Sequence, residues 1–363
     1  MRGANDRVQP LARWWFVTRK HPPAIGGMER LSHEVTTRLS ALHPGAVVAL
    51  RGQSSLPIFI VRTALRLLHA CARRDVALVH LGDPVLAPLA LVPRAFGVPV
   101  VVTLHGLDVV HASPAYRVWR KTFLRGFDAY VCISDATRAA AASAGLPPER
   151  LHVIGIGIDP PTHADDKIRE EDLLLFVGRL VPRKGLAWFV RDVFPALAAT
   201  RPALRLAIVG DGPQRAAVEA CARAAGLERR LVWSARDDAE KGRWLARATL
   251  CIVPNVRLPG DMEGFGIVAL EAAAAGCPVV AADLEGLRDA LAGGRAGTLL
   301  PPQDAGAWIR ALGEQLDDRA GRMRRVESAR AYVIRHCGWS GVIAAYERLF
   351  ADVSARERGA ALR

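Results

Sequence analysis

The feature that most constrains the fold is a regular alternation of short, continuously apolar runs with longer stretches of helical periodicity. The first half of the chain has apolar runs at residues 14–18, 47–50, 76–80, 98–104 and 129–133. The second half repeats the pattern at residues 173–177, 204–209, 230–233, 250–253 and 279–281. Strands that alternate with helices in this way predict parallel, doubly wound α/β sheets.

The length of the chain predicts two such domains, because 363 residues exceed what one hydrophobic core usually organises. The stretch 158–166 breaks all periodicity and is the predicted linker. We therefore expect a Rossmann-like domain over 1–160, a second one over 161–338, and a C-terminal helix over 339–363 that docks back on the first domain.

The net charge of +13 is distributed unevenly. Residues 1–160 contain 19 Lys and Arg against 10 Asp and Glu, which gives +9 and leaves +4 for the remainder. Such an excess of cations suits nucleic acid, anionic lipid or phosphorylated ligands. Because no nucleic-acid module with interleaved aromatic residues is visible, we expect no nucleic-acid partner.

The remaining composition is that of a globular protein from a reducing compartment. No apolar stretch approaches the roughly 20 residues that a membrane span needs, and residues 1–10 lack the apolar centre of a secretory signal. The six cysteines are scattered, with no pair at metal-site spacing. This pattern predicts free thiols in the cytosol.

One segment, residues 261–272, is hard to explain by packing alone. Glu263 precedes Gly264 and Gly266, a helix is predicted directly after these glycines, and Glu271 lies about two turns inside it. Glycines let a ligand approach a helix N-terminus, where unpaired N–H groups can receive a phosphate or a sugar hydroxyl. Two carboxylates at different depths suit a long ligand such as a nucleotide sugar. The alternative is an ordinary buried helix with a capping acid at Glu263 and a solvated Glu271.

Loops after two strands of the first half carry further candidates. In an open α/β sheet, loops at the carboxyl ends of the strands line the ligand crevice. Gly26 and Gly27 stand in the first of these loops, either to touch a substrate or to form a plain tight turn. His105 follows the strand at 98–104, as a catalytic or a structural residue.

The second half has a cationic loop after its first strand. Arg179, Arg183 and Lys184 lie within six residues and indicate a diphosphate rather than a bland surface loop. The next turn, residues 210–213, begins like a dinucleotide fingerprint, but Arg215 stands where the third glycine belongs. The support for NAD is therefore weak.

Two predicted helices of the first half, 56–74 and 114–125, are strongly basic. The earlier helix has Arg62, Arg66 and Arg73 near one face. The later one combines cations with aromatic residues: Arg117, Arg120, Lys121 and Arg125 beside Tyr116, Trp119 and Phe123. Basic faces with aromatics can lie on anionic lipid, and the alternative is a solvated helix face.

Together these motifs resemble family 4 of the retaining glycosyltransferases, which have the GT-B fold. The resemblance covers nearly the whole chain and rests on the order and spacing of six segments. These are Gly26-Gly27, 103–106, 132–134, 178–185, 210–213 and 263–271, the last of which matches the family's E-x7-E motif. The resemblance implies two Rossmann-like, doubly wound parallel-sheet domains that face each other across a cleft.

The same resemblance implies the reaction. A family member moves a sugar from a UDP- or GDP-linked nucleotide sugar to a glycan or lipid-linked acceptor, here in envelope polysaccharide, lipopolysaccharide or glycolipid synthesis. With family chemistry and the basic first half combined, we expect a cytoplasmic enzyme that associates peripherally with the inner face of the cell membrane, with an anionic membrane surface as a partner.

Roles for individual residues also follow from the resemblance. Glu271 matches the residue that binds the ribose, and Glu263 with the amides of 264–267 matches positions that hold the donor sugar and phosphates. Arg179 and Lys184 match the diphosphate clamp. The predicted catalytic residues are His105, Arg179, Lys184 and Glu263. The predicted donor-binding residues are Gly26, Gly27, Arg179, Lys184, Gly264, Phe265, Gly266, Ile267 and Glu271.

The expected chemistry needs neither a metal nor a resident cofactor, since the nucleotide sugar is a co-substrate. Breaking the bond between the sugar C1 and the phosphate leaves negative charge on the nucleotide, which cations and a helix N-terminus can stabilise. No Asp-x-Asp metal signature lies at the expected strand end. Retention by analogy means that the acceptor attacks on the leaving-group face and that the phosphate takes its proton.

Two departures from the family pattern leave the base of the nucleotide open. Gly155-Ile156-Gly157 stands where relatives often have Pro-Asn-Gly, and the region 233–235 lacks the usual glycine. Three rival functions remain: a GT-B nucleotide-sugar epimerase, a non-catalytic donor-binding partner and an NAD oxidoreductase. The intact set of cations and acids described above argues against the non-catalytic partner.

Overall fold

The computed structural model describes residues 13–22, 26–50, 55–159, 169–234 and 237–361. The chain forms two compact units. Unit 1 comprises Met1–Ile133, Arg138–Ile154 and Ile343–Arg363, and unit 2 comprises Ser134–Thr137 and Gly155–Val342. Most of the predicted linker, with the predicted boundary at 160, lies outside the described residues, as do Pro23 to Ile25 and Ala235. Among the described helices, none has the length and apolarity to cross a membrane.

Unit 1 is built on a six-stranded parallel sheet in the order β2-β1-β3-β4-β5-β6. Its strands are β1 (Arg13–Thr18), β2 (Gly45–Ala49), β3 (Val76–Leu81), β4 (Val100–Leu104), β5 (Ala129–Cys132) and β6 (Leu151–Val153). The strand order reverses between β1 and β3, where Phe16 pairs with His80. Ligands of doubly wound sheets bind at such a reversal, outside the carboxyl ends of the strands.

The connections of this first sheet are mostly helical. They are α1 (Gly27–Leu42), α2 (Leu56–Ala72), α3 (Leu91–Ala95), α4 (Leu107–Val110), α5 (Pro114–Phe123) and α6 (Asp135–Ser143), with 3₁₀ turns at Pro84–Ala90 and Pro148–Arg150. All five residues of β4 are buried. A strand that is covered on both faces reads as a continuous apolar run, which explains why the sequence predicts the inner strands well.

Unit 2 contains the second six-stranded parallel sheet, in the order β12-β11-β10-β7-β8-β9. Its strands are β7 (Leu173–Val177), β8 (Arg205–Val209), β9 (Leu231–Ser234), β10 (Leu250–Val253), β11 (Val279–Ala282) and β12 (Thr298–Leu300). The strand order reverses between β7 and β10. This is the arrangement of the dinucleotide-binding Rossmann fold, with its ligand crevice at the carboxyl ends of these two strands.

The helices of the second half complete the chain. They are α7 (Leu186–Asp192), α8 (Phe194–Thr200), α9 (Arg215–Ala224), α10 (Asp238–Arg247), α11 (Ile267–Ala274), α12 (Gly286–Ala290), α13 (Ala305–Asp317), α14 (Arg319–His336) and α15 (Trp339–Ala361). Further 3₁₀ turns lie at Pro182–Lys184, Glu228–Arg230 and Ala292–Gly294. The last helix, α15, has 23 residues.

The last helix, α15, belongs to unit 2 at its first residues and to unit 1 from Ile343 onward. A Cβ at Gly157 would lie 2.5 Å from Cδ2 of Trp339, so only glycine fits beneath that indole. Phe350 makes ring contacts with Trp14 and His80 at centroid distances of 5.3 and 5.4 Å. Packing therefore requires the last glycine of Gly155-Ile156-Gly157, which is the residue that this segment shares with the family's Pro-Asn-Gly.

Candidate active site

The switch point of the second sheet is formed by the loops that follow β7 and β10. The first loop contains the cationic segment and ends at Gly185, whose φ is +67°. A Cβ there would collide with the carbonyl oxygen of Pro254, the first residue after β10. Glycine is therefore needed both for the left-handed backbone and for the close approach of the two loops.

This close approach brings Glu263 against two of the three cations of the first loop, Arg183 and Lys184. Its Oε2 accepts hydrogen bonds from Lys184 Nζ and from a guanidinium nitrogen of Arg183. The amide nitrogen of Asn255 donates to the same oxygen at 2.8 Å. The side chains of Glu263, Lys184 and Arg183 are only 12%, 13% and 9% exposed. Lys184 and Glu263, both named from the sequence, are thus in contact, and their roles toward a donor stay a prediction.

Glu263 is ionised in this environment. Burial would raise its pKa, but Lys184 and Arg183 outweigh burial and lower the pKa from 4.5 to about 2. Charged hydrogen bonds of this kind are shorter and stronger than neutral ones. The cluster is therefore a fixed arrangement of charge within a largely buried site.

Two further carboxylates flank this cluster. Asp261 accepts from Nε of Arg183 at 3.2 Å, and Glu285 accepts from the backbone N–H of Glu263 at 2.5 Å. Burial raises the pKa of Glu285, in opposition to Arg183. Glu285 also holds a positive φ of 49°, which is uncommon outside glycine and is a form of strain found at functional sites.

Helix α11 begins beside this cluster with no side-chain cap. Its N-cap residue is Gly266, at φ +88°, where a Cβ would collide with Leu287. Glu263 therefore does not cap this helix, and the alternative reading of that residue is wrong. Phe265 is buried, and Ile267 is the first helical residue.

The second acid of the motif lies inside α11 and is also buried. Glu271 is 7% exposed, and its Oε1 accepts from Lys241 Nζ at 3.0 Å. Lys241 lies on α10 and pairs with Asp238 as well, at 2.9 Å. A solvated Glu271, the other half of the alternative reading, is therefore wrong. A buried acid on the ligand-facing edge of a sheet is suited to accept from hydroxyl groups.

Arg179 occupies a different position from the other cations of its loop. Its side chain is exposed, and among the described residues it forms no hydrogen bond or ion pair. The structure thus brings Lys184, Arg183 and Glu263 together and leaves Arg179 outside their contacts. A diphosphate role for Arg179 stays a prediction.

The predicted residues of unit 1 lie near the carboxyl ends of its strands. His105 follows β4 directly and is 7% exposed, and its Nε2–H donates to the carbonyl oxygen of Gly82 at 2.8 Å. Its Nδ1 has no hydrogen-bond partner within the described ranges. Gly26 is the N-cap of α1, which begins at Gly27, and both are half-buried.

Sequence reasoning missed a carboxylate in this first sheet. Asp83, which follows β3, is fully buried and accepts from Nε of Arg19 at 2.9 Å and from the N–H of Val85 at 3.0 Å. Burial raises its pKa despite Arg19. The signal in the sequence was available, because Asp83 comes three residues after the predicted strand at 76–80.

In the described part of the chain, no group of three or more His, Cys, Asp or Glu residues stands close enough to hold a metal ion. None of the six cysteines, all of which lie in the described ranges, forms a disulfide. That the reaction needs no metal stays a prediction.

Family models match both halves of the chain. The model described as "Glycosyltransferase Family 4" matches residues 25–161, and the model described as "Glycosyl transferases group 1" matches residues 171–318. The two matches lie almost entirely on either side of the predicted boundary at 160.

Individual relatives agree with these models. A phosphatidyl-myo-inositol mannosyltransferase of Mycolicibacterium smegmatis is 32% identical over 78% of this chain and 73% of its own length. From the same organism, a GDP-mannose-dependent alpha-(1-6)-phosphatidylinositol monomannoside mannosyltransferase is 29% identical over 84% of this chain and 89% of its own. The crystal structure of HepE from Anabaena, in complex with UDP and glucose, is 19% identical with a TM-score of 0.74 over 94% and 99% of the two chains.

The chain belongs to family 4 of the glycosyltransferases, and its two doubly wound sheets are those of the GT-B fold. It is a glycosyltransferase that uses a nucleotide sugar. Nothing in the comparisons supports an epimerase or a non-catalytic partner.

Proposed function

We propose that this glycosyltransferase moves a hexosyl group, with retention and without a metal, from a UDP- or GDP-linked sugar to a glycan or lipid-linked acceptor in envelope polysaccharide or glycolipid synthesis. The observation that carries the proposal is the charged cluster of Glu263, Lys184 and Arg183 beside the uncapped N-terminus of α11. Cations and unpaired N–H groups that converge at a Rossmann switch point suit a diphosphate.

Charge development explains what these groups do in the reaction. As the bond between the sugar C1 and the phosphate oxygen breaks, its electron pair stays on the phosphate, and the nucleoside diphosphate gains negative charge. The oxygen of the acceptor hydroxyl forms the new bond to C1 on the same face, and its proton passes to the leaving phosphate oxygen. Lys184 and the first amides of α11 are held before the reaction and stabilise the charge without reorganisation.

The carboxylates of Glu263 and Glu271 have different roles in this proposal. Glu263 partly neutralises Lys184 and Arg183, so that the cluster is stable before a donor arrives. A donor phosphate then competes with Glu263 for Lys184, while Glu263 is available to hydroxyl groups of the sugar. Glu271, farther along α11, is assigned to the ribose.

The names of the relatives are compatible with either base. One relative is named as dependent on GDP-mannose, and one structural neighbour was solved with UDP and glucose. Both are diphosphate ligands, which is the part of the donor that Lys184 and the helix amides address. The base and the sugar are therefore open within this proposal.

The proposed location of the enzyme rests on its charge distribution. An excess of +9 in residues 1–160 favours a cytoplasmic enzyme that attaches reversibly to the anionic inner face of the membrane. Arg117, Lys121 and Arg125 on or after α5 are exposed, as such attachment requires. Arg120 instead donates to the carbonyl oxygen of Val109.

A thermal-shift panel of nucleotide sugars, with UDP- and GDP-linked hexoses and NAD, tests the donor class. A cognate donor at 100 times its Kd adds about 2.7 kcal/mol to the free energy of unfolding. We expect one nucleotide sugar to raise the free energy of unfolding and NAD to leave it unchanged. We also expect transfer to an acceptor to continue in excess EDTA. A shift by NAD alone, or loss of transfer on chelation with rescue by a divalent ion, contradicts the proposal.

A further inference from the structure

Helix α2 carries large apolar side chains on its outer face. Ile58, Val61, Leu65 and Leu68 are 59%, 60%, 62% and 47% exposed. Single exposed apolar residues are normal on protein surfaces and need no explanation. Four on one helix of 17 residues form a contiguous patch, and such patches mark interaction sites.

The spacing places these side chains on one stripe. The intervals of three, four and three residues put them on a single face of a helix with 3.6 residues per turn. The opposite face, with Phe59, Thr63 and Leu67, is buried in the core of unit 1. Helix α2 therefore has two apolar faces, and its own sheet covers only one of them.

A groove lies beside this stripe, between α2 and the edge strand β2. It has a volume of about 360 Å³, and its walls include Val47, Ile58 and Phe59. Arg62 and Arg66 also line it, one helical turn apart. Neither arginine forms an ion pair among the described residues, and both are exposed.

The charge of the helix is of one sign. Its 17 residues contain no Asp or Glu, and Arg73 and Arg74 follow directly. The nearest acid in the sequence is Asp75, which lies 3.9 Å from Arg73. An apolar stripe with a cationic flank and no acids matches a helix that lies in the plane of an anionic bilayer.

A second copy of the chain fits this surface less well. Two α2 helices packed through their stripes would bring arginines near arginines, with no acid on either helix to pair with them. Coiled-coil pairs normally use opposite charges at the flanking positions. The charge pattern therefore favours lipid over self-association.

The other basic helix, α5, lacks such a stripe. Tyr116 stacks on Trp119 with a centroid distance of 5.4 Å, and Trp119 and Phe123 pack against the core. Val118, at 66% exposed, is the single large apolar side chain that α5 presents to solvent. The aromatics that the sequence suggested for a lipid contact thus face inward.

We infer that α2 is the membrane-docking surface of this enzyme: Ile58, Val61, Leu65 and Leu68 enter the apolar edge of the bilayer, and Arg62 and Arg66 hold anionic headgroups. The helix is about 25 Å long, so it can rest along the surface over its whole length. The inference deepens the proposed membrane association and is independent of the transfer reaction.

The experiment is flotation of the full chain with vesicles of phosphatidylcholine, with and without phosphatidylglycerol, at low and high salt. Wild type is expected to float with the anionic vesicles and to release as salt is raised. The variant V61Q L65Q keeps helix formers on exposed positions and should bind at least tenfold more weakly. The variant R62Q R66Q should lose about thirtyfold on anionic vesicles.

Matched variants make the result specific. M323Q I334Q removes two apolar side chains of α14 that are 42% and 45% exposed, and it should bind as wild type does. R117Q K121Q R125Q should weaken binding less than V61Q L65Q does. Any of three results would overturn the inference. Wild type does not bind anionic vesicles, V61Q L65Q binds them as well as wild type does, or R117Q K121Q R125Q loses more binding than V61Q L65Q does. A dimer by light scattering that V61Q L65Q abolishes would assign the stripe to a second copy and would also overturn it.

Failure of this inference and failure of the proposed function are separable. Calorimetry with a nucleoside diphosphate, on the same preparations, reports on the second sheet alone. The α2 variants are expected to keep wild-type affinity. Absence of nucleotide binding with intact flotation would count against the proposed function and would leave the docking surface in place.

Discussion

The two sheets each place polar groups at the carboxyl ends of parallel strands, but they keep those groups in different charge states. In unit 2, Glu263 has a pKa of about 2 and lies against Lys184 and Arg183. In unit 1, burial and the neighbouring His105 lower the pKa of His80 to about 3, so its imidazole is neutral. Burial likewise raises the pKa of Asp83.

Burial alone does not explain why Glu263 is charged and His80 is neutral, since both side chains are buried. The second sheet supplies two cations and an amide to one carboxylate oxygen, which more than offsets desolvation. The first sheet offers His80 a hydroxyl partner, Thr103 at 2.8 Å, and ring contacts with Phe16 and Tyr346. A neutral histidine is the stable form in such surroundings.

The comparison teaches which ligand group each sheet can take. Preorganised charge in the second sheet suits the diphosphate of the donor, whose charge rises as the bond breaks. In the first sheet His80 is neutral, whereas Asp83 pairs with Arg19 at 2.9 Å. Unit 1 also has exposed cations, Arg62 and Arg66 on α2 and Arg117 and Lys121 on α5, where a charged surface can reach them.

The largest effect expected from this comparison is on catalysis in the second sheet. Lys184→Ala removes a preorganised cation, and we expect kcat/KM to fall by a factor of about a hundred or more, or on the order of 3 kcal/mol of transition-state stabilisation. Arg183 and Asn255 remain on Glu263, so the protein should still fold, as its melting curve would show. Steady-state kinetics with the donor identified above is the measurement.

Arg191→Ala is the matched control for that variant. Arg191 is an exposed cation of α7 in the same unit and pairs with Asp192, its sequence neighbour. Its loss should leave kcat/KM unchanged. Turnover by Lys184→Ala at the wild-type rate would show that the second sheet does not use its charge in this way.

Much of the fold was predictable because inner strands of parallel sheets are continuously apolar. The predicted runs at 173–177 and 250–253 match β7 and β10 at both ends. β6 and β12 were not predicted, since each has only three residues and no apolar run stands out from its surroundings. Short edge strands depend on tertiary pairing, which a local pattern does not contain.

The site was predictable in part for a related reason. Glu263 and Glu271 stand out because their spacing across the two glycines matches the family's E-x7-E motif. Their partners Asn255 and Lys241 do not stand out, because the pairs span 8 and 30 residues of sequence and form only when the sheet assembles. The apolar stripe of α2 escaped notice because the helix is apolar nearly all round, which usually indicates burial.

A second prediction concerns acid stability in the first sheet. The pKa of His80 is about 3 in the folded protein and 6.5 ordinarily, so the unfolded chain binds the proton more tightly. The stabilising contribution is complete above pH 6.5 and is lost as pH falls toward 3, by about 2 kcal/mol at pH 5. His80→Gln keeps a donor for Thr103 and removes this pH dependence. Urea unfolding at pH 7 and pH 5 measures the narrowing difference from wild type.

Glu263→Gln is the counterpart in the second sheet. Its pKa is lowered from 4.5 to about 2, so its contribution is present above pH 4.5 and is lost only below it. Between pH 7 and pH 5 this variant should therefore keep a constant difference from wild type. If His80→Gln also shows a constant difference over that range, the first sheet does not hold a neutral histidine against protonation.

The smallest expected effect is on the affinity of the protein for a free nucleoside diphosphate. This affinity distinguishes the role of Glu271 from that of Glu263. Glu271→Gln removes an acceptor for the ribose, and a hydrogen bond to a charged group is worth about 1.5 kcal/mol, so binding should weaken by about tenfold. Lys241 keeps its pair with Asp238, which limits damage to the fold. Isothermal calorimetry is the measurement.

Glu263→Gln should behave in the opposite sense. Its carboxylate competes with the diphosphate for Lys184, so its neutralisation should leave affinity for the free nucleotide unchanged or raise it severalfold, while transfer falls because the sugar contact is lost. Glu219→Gln, an exposed acid of α9 that pairs with Arg215, controls for the change of net charge. Equal weakening by the Glu263 and Glu271 variants would contradict the separate roles, because it would mean that both carboxylates act on the nucleotide alone and that neither is reserved for the sugar.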